Sequence, residues 1–107
     1  ALILSGFSCD RFVFEGFLPH KKGRHTKFKA LAEEERTMLI YESPHRIEKT
    51  LLQMSEHFEP ERRICVCREL TKKFEESIRG TLQEITTNLN AHRFIGEIVL
   101  VIEGKLK

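Results

Sequence analysis

No stretch of this sequence is apolar for long enough to cross a bilayer. The longest apolar run, Ile98–Ile102, has five residues, against the roughly 20 that a spanning helix needs. No charged leader is followed by an apolar segment and a small-residue cleavage site, so no secretory signal is expected. The self-sufficient catalytic signatures are missing as well: there is no Gly-rich phosphate loop, no Gly-x-Ser-x-Gly and no His-Glu-x-x-His. Cysteine is scarce at three residues, and Cys65 and Cys67 are too close together, with too few companions, for a disulfide framework or a zinc knuckle. The five histidines are dispersed without ligand spacing, so no metal is expected. Internal repeats and low-complexity segments are also lacking.

What is present suits one soluble globular domain. The chain has 107 residues, 40% hydrophobic and 32% charged, enough for a single core and too few for two ordinary domains. Cys65 and Cys67 fall two apart in an apolar stretch, on one face of a strand, and are expected to be buried, reduced thiols. That usage fits a reducing, cytoplasmic compartment. The formal net charge of +2 names no partner, but its distribution is uneven. Lys21, Lys22, Arg24, Lys27 and Lys29 follow one another without an acid between them, and Glu33, Glu34 and Glu35 come next. Such a basic segment can bind phosphates; the alternative is a solvated loop and helix face.

Periodicity gives the element order. Residues 12–18 are rich in aromatic and branched side chains and read as a strand ended by Pro19. A short helix over 26–35 would bury Phe28, Leu31 and Ala32. Thr37 to Tyr41 is a continuous apolar strand, of the kind covered on both faces. Ser43 as N-cap and Pro44 at the first helical position predict a helix start. Ile47, Leu51, Met54 and Phe58 mark that helix's buried face. Ile64 to Arg68 is a further buried strand, and residues 75–79 a polar edge strand. Thr81 and Glu84 form a capping box ahead of a helix with Leu82, Ile85 and Leu89 inward. Ile98 to Ile102 is the last strand, expected near the sheet centre. The fold class is therefore α/β, with a mixed, mostly parallel sheet of about five strands and helices on its faces.

Three polar clusters lie at strand ends, where open α/β sheets bind ligands. Tyr41-Glu-Ser-Pro-His-Arg46 sits at a helix start that favours anions, or merely begins the helix. Arg68-Glu-Leu-Thr-Lys72 crowds opposite charges, or makes only a surface ion pair. Gly96-Glu97 enters the last strand, or Gly96 only eases a turn.

Together with Asp10-Arg-Phe-Val-Phe-Glu-Gly-Phe-Leu-Pro19, Arg79-Gly-Thr-Leu82 and Gly96-Glu-Ile-Val-Leu-Val-Ile-Glu-Gly104, in this order and spacing, these clusters carry a resemblance that covers essentially the whole chain. The sequence resembles the C-terminal half of the ribosomal RNA methyltransferase branch of the tetrapyrrole (corrin/porphyrin) methylase superfamily. The resemblance implies residues 1–9 as the end of an interdomain helix and linker, and 10–107 as a C-terminal domain whose N-terminal companion is missing. It implies S-adenosylmethionine as cofactor, shared with that companion, so that the isolated domain is expected to be inactive. Tyr41, Glu42, Ser43, Leu70, Thr71, Gly96 and Glu97 are the cofactor-binding positions it points to. Glu42 and Leu70 depart from the Met and small residue frequent among tetrapyrrole methylases.

The reaction implied is methylation of a cytidine 2′-hydroxyl in small-subunit ribosomal RNA, in the decoding region. A hydroxyl must lose its proton as it attacks, and Glu42, His45 and Glu69 are the candidate bases in this half. Lys21, Lys22, Arg24, Lys27 and Arg46 become candidate contacts to RNA phosphates. The partners implied are the small-subunit RNA or assembled subunit and, as commonly in the family, a second copy in a homodimer. Methylation of a corrin or porphyrin precursor, or a non-catalytic RNA-binding module, are the alternatives.

Overall fold

A computed structural model describes residues 6–7, 11–19, 21–68, 76–89 and 97–106. Its elements are β1 (Phe12–Phe17), α1 (Arg24–Glu33), β2 (Thr37–Glu42), α2 (Ile47–Met54), β3 (Arg63–Arg68), β4 (Glu76–Thr81), α3 (Leu82–Thr87) and β5 (Ile98–Ile102). The order agrees with the periodicity of the sequence. Several boundaries shift: α1 ends at Glu33 and not at residue 35, β4 runs on past residue 79 to Thr81, and two helix starts move. Helix α1 begins at Arg24 rather than Thr26, after Gly23 turns the chain in the left-handed region at φ 82°. Helix α2 begins at Ile47, because residues 44–46 form a turn in which the Ser43 carbonyl accepts from the N–H groups of Arg46 and Ile47. Ser43 is thus not the side-chain cap that its position suggested.

The strands form one mixed five-stranded sheet in the order β1-β2-β5-β3-β4. The sheet is mixed as expected, but parallel pairing does not dominate. Among the described strands only β1–β2 is parallel; β2–β5, β5–β3 and β3–β4 are antiparallel. Two of these come from the last strand, which inserts between β2 and β3 and runs against both; the third joins the consecutive strands β3 and β4. The all-branched and leucine composition of β5 fits that central place, where Leu100, Val101 and Ile102 are fully buried.

The three described helices lie on one face, not on both. Phe28 and Leu31 of α1, Ile47, Leu51 and Met54 of α2, and Leu82 and Ile85 of α3 share one core with Met38, Ile40, Ile64, Val66, Ile98, Leu100 and Ile102 of the sheet. Within this layer Arg62 is buried; its guanidinium donates to the carbonyls of Ala32 and Glu103 and to the Glu59 carboxylate. The other face carries Cys65, Cys67 and Val101, with Phe7, Leu39 and Val99 packed against them. Cys65 and Cys67 are both buried and free, as their spacing predicted, with sulfurs 3.5 Å apart. The hydrogen bond between them holds the Cys67 thiol below its ordinary range and pushes that of Cys65 up.

A bulge in β1 decides what this second face presents. Register shifts between Phe14 and Gly16, and Gly16 takes the left-handed φ of 64°. Without the extra residue Phe17 would point with Val13 toward the helices, since one residue of slip exchanges the faces. With it, Phe17 pairs with Tyr41, and the rings of Phe14 and Phe17 lie 5.1 and 5.5 Å from that of Tyr41.

Candidate functional site

The sheet gathers one set of strand ends. β1 ends at Phe17 beside Tyr41, β2 ends at Glu42, and β5 starts at Ile98, which is paired with Glu42 on one side and with Arg68, the end of β3, on the other. An open cleft of about 720 Å³ lies here, lined by Phe17, Tyr41, Glu42, Ser43, Pro44, Glu97, Ile98 and Val99. That volume falls in the range of small-molecule sites, roughly 300–1,000 Å³. Its lining is mainly apolar, with Phe17 and Tyr41 as an exposed aromatic wall and Glu42 and Glu97 among the lining residues. A second cleft, of about 760 Å³, lies around Thr37 and Glu103, at the opposite ends of β2 and β5. Two ion pairs lie within its lining, Glu34 with Arg36 and Lys105 with Glu33, while Glu103 pairs with Arg63 outside it, and it lies away from the strand ends where such sheets take ligands.

Glu42 is a closely held polar group at the first cleft. It is only 8% exposed. Its Oε1 accepts from the Ser43 backbone N–H at 2.8 Å, and its Oε2 accepts from the Thr50 hydroxyl at 2.6 Å. The Thr50 oxygen in turn accepts from Arg24 Nη2 at 2.8 Å. Arg24 also donates through Nε to Gln53 Oε1 at 2.7 Å and through Nη1 to the Pro19 carbonyl at 2.8 Å. Its guanidinium lies over the Phe28 ring, 5.0 Å from the centroid. Burial first, and then repulsion from Arg46, lower its pKa from the ordinary guanidinium range, while attraction to Glu42 acts the other way.

The structure sorts the residues that sequence reasoning proposed. Tyr41, Glu42, Ser43 and Glu97 come together as cleft lining. Leu70, Thr71, Gly96 and the candidate base Glu69 lie outside the described residues. His45 is exposed on the turn before α2 and does not line the cleft.

The proposed RNA contacts divide further. Lys21 and Lys22 are exposed on the loop before α1. Lys27 pairs with Glu15 of β1, and Arg46 is half-buried near Arg24. Arg24 is a correction: its side chain is buried and its three described hydrogen bonds point inward, so it does not present its charge to a phosphate. Sequence reasoning missed Thr50 and Gln53. The signal for Thr50 was available, since it stands three residues after Ile47 on the face that also buries Leu51 and Met54.

Among the described residues no helix is long and apolar enough to cross a membrane, and no three His, Cys, Asp or Glu side chains converge as metal ligands.

Comparison with known proteins gives one consistent family. The sequence model described as Tetrapyrrole (Corrin/Porphyrin) Methylases matches residues 2–86. Over 105 residues the chain is 47% identical to a Synechocystis sp. protein named Ribosomal RNA small subunit methyltransferase I, covering 97% of this chain and 38% of the relative. A Bacillus subtilis protein of the same name is 45% identical over 105 residues, covering 97% of this chain and 36% of the relative. This chain therefore spans well under half the length of these relatives. Among solved structures, that of the methyltransferase CobJ superposes with a TM-score of 0.70 over 97% of this chain and 46% of its own, at 18% identity. At that identity the likeness speaks for the fold alone.

Proposed function

This chain belongs to the tetrapyrrole (corrin/porphyrin) methylase family, and on that premise we propose that it is the C-terminal part, residues 10–107, of an S-adenosylmethionine-dependent methyltransferase. Its substrate is the 2′-hydroxyl of a cytidine in small-subunit ribosomal RNA. The observation that carries the reading is the identity of 45–47% across essentially the whole chain to relatives bearing that RNA in their names. The enzyme works as a cytoplasmic homodimer, and the present segment alone is inactive.

The cleft at the strand ends fits the nucleoside part of such a cofactor. Its volume suits a nucleoside, Phe17 and Tyr41 offer a flat apolar wall, and the Glu42 carboxylate offers acceptors for hydroxyl or amino groups. When bound, the cofactor supplies an electrophilic methyl group. Tyr41, Glu42, Ser43 and Glu97 hold and orient one side of the site. Leu70, Thr71 and Gly96 complete the set that the family resemblance assigns. The proton of the attacking hydroxyl needs an acceptor. Glu42 lines the cleft and His45 does not, which supports Glu42 over His45; Glu69 stays a candidate on sequence alone, and the N-terminal domain is the other source of the base. Lys21 and Lys22 hold RNA phosphates through exposed charge, and Arg46 adds to the same field.

Methyl transfer from labelled cofactor is the test, using the full-length enzyme, purified small subunits and a corrin precursor. Label on a cytidine ribose of the RNA is expected. Label only on the tetrapyrrole would replace this reading with the corrin or porphyrin one. Salt-sensitive RNA binding with no transfer would replace it with a binding module.

A further inference from the structure

Arg24 sits in the segment that a reading of charge alone assigns to RNA, yet the residue is only 6% exposed. It is spent on bonds to three different parts of the fold: the Pro19 carbonyl after β1, and Gln53 and Thr50 on α2. The Thr50 hydroxyl is fully buried and used both ways, accepting from Arg24 and donating to Glu42. A hydroxyl has a single proton to donate. With Arg24 donating into its oxygen, that proton is left for the carboxylate. The result is a directed chain, Arg24 to Thr50 to Glu42, that ends at a residue lining the cleft.

We propose that Arg24 and Thr50 are positioning residues for the Glu42 carboxylate, fixing its rotamer so that its remaining acceptor sites face the ligand in the cleft. The proposal rests on the reading of that cleft as the ligand site. A carboxylate offers about four acceptor sites. Among the described residues two are filled from inside, by the Ser43 N–H and the Thr50 hydroxyl, and the others are offered to a donor on the ligand: a ribose hydroxyl or an exocyclic amine. The bonds from α2 and from the backbone restrict the side chain from both oxygens, so its ordering is complete before a ligand arrives. Such preorganisation is what binding and catalysis gain from supporting hydrogen bonds. The buried cation also offsets the cost of burying the anion, with the hydroxyl between them.

Thr50→Val preserves shape and removes the hydroxyl; Thr50→Ser restores it. In the full-length enzyme T50V is expected to lower kcat/KM for methyl transfer by about ten- to a hundredfold, the size expected for a hydrogen bond to a charged group, while T50S stays within about twofold of wild type. R24K keeps the charge but not the guanidinium fork and is expected to fall with T50V. Because Thr50 acts through Glu42, the double variant T50V/E42Q should be no worse than E42Q alone, within about twofold. The same cycle is to be read on S-adenosylmethionine affinity by calorimetry, at a temperature where melting curves show every variant folded. A merely structural Thr50 would give effects that multiply with those of E42Q, or that T50S does not rescue, and either result would overturn the proposal. So would a T50V enzyme within twofold of wild type in both transfer and affinity. Wild-type enzyme that transfers no methyl to ribosomal RNA would instead sink the functional reading, and the calorimetric cycle would still decide the role of Thr50.

Discussion

Glu42, the last residue of β2, is the antiparallel partner of Ile98, the first residue of β5. This pairing brings two distant parts of the sequence to one end of the sheet, and both residues line the cleft. Ile98 is 2% exposed, so its side chain secures the register from the core side. Truncation by Ile98→Ala should cost about 2–5 kcal/mol, read as a lower urea midpoint with an unchanged slope. Leu52→Ala, at a position 52% exposed, should stay within about 0.5 kcal/mol.

The exposed lysines and the buried arginine should separate in RNA binding. Lys21→Ala and Lys22→Ala are each expected to weaken binding of full-length protein to small-subunit RNA. Each should also flatten the plot of log affinity against log salt, by about 0.7–0.9 for every phosphate that the variant no longer neutralises. R24K should leave that slope unchanged. A slope insensitive to both lysines would remove this loop from the RNA interface.

Helix α3 opens with a reciprocal cap, the Thr81 N–H donating to Glu84 Oε1 and the Glu84 N–H donating to Thr81 Oγ1. The first of these bonds, aided by the Thr81 side chain, holds the Glu84 carboxyl below its ordinary range. A folded value below the unfolded one adds stability above the unfolded pKa, about 4.3, and that stability fades as the pH falls through the folded value. Wild type should therefore melt higher than E84Q at neutral pH. The difference should shrink below about pH 4, as followed by thermal melts across the acid range.

Gly104 is required by close approach and not by its torsion angle. A Cβ there would lie 1.9 Å from the Glu35 carbonyl oxygen and 2.9 Å from the Arg36 nitrogen. Backbone atoms cannot turn aside, and the neighbouring Lys105 N–H is bonded to the Glu34 carbonyl at 2.7 Å. Gly104→Ala should destabilise by about 1–3 kcal/mol, seen as a lower melting temperature, whereas Gly80→Ala meets only side-chain atoms at 3.5 Å or more and should cost less.

Much of this protein was legible in one dimension because the determinants are local. The branched run Ile98–Ile102 announced a buried central strand, Thr81 and Glu84 announced a cap, and the spacing of Cys65 and Cys67 announced two thiols on one face. The polar clusters at strand ends were visible as well, and Tyr41 to Ser43 do line the cleft. Tertiary structure alone decided the rest, because each remaining feature joins residues far apart in sequence. The insertion of β5 between β2 and β3 made two of the four described pairings antiparallel, those of β5 with β2 and with β3, a choice no strand records in its own residues. The bulge at Gly16 turned Phe17 to the face of Tyr41. Arg24 looked like one cation among five. Only the packing of α1 against α2, which brings it to Thr50 and Gln53, turned it inward toward the carboxylate at the end of β2.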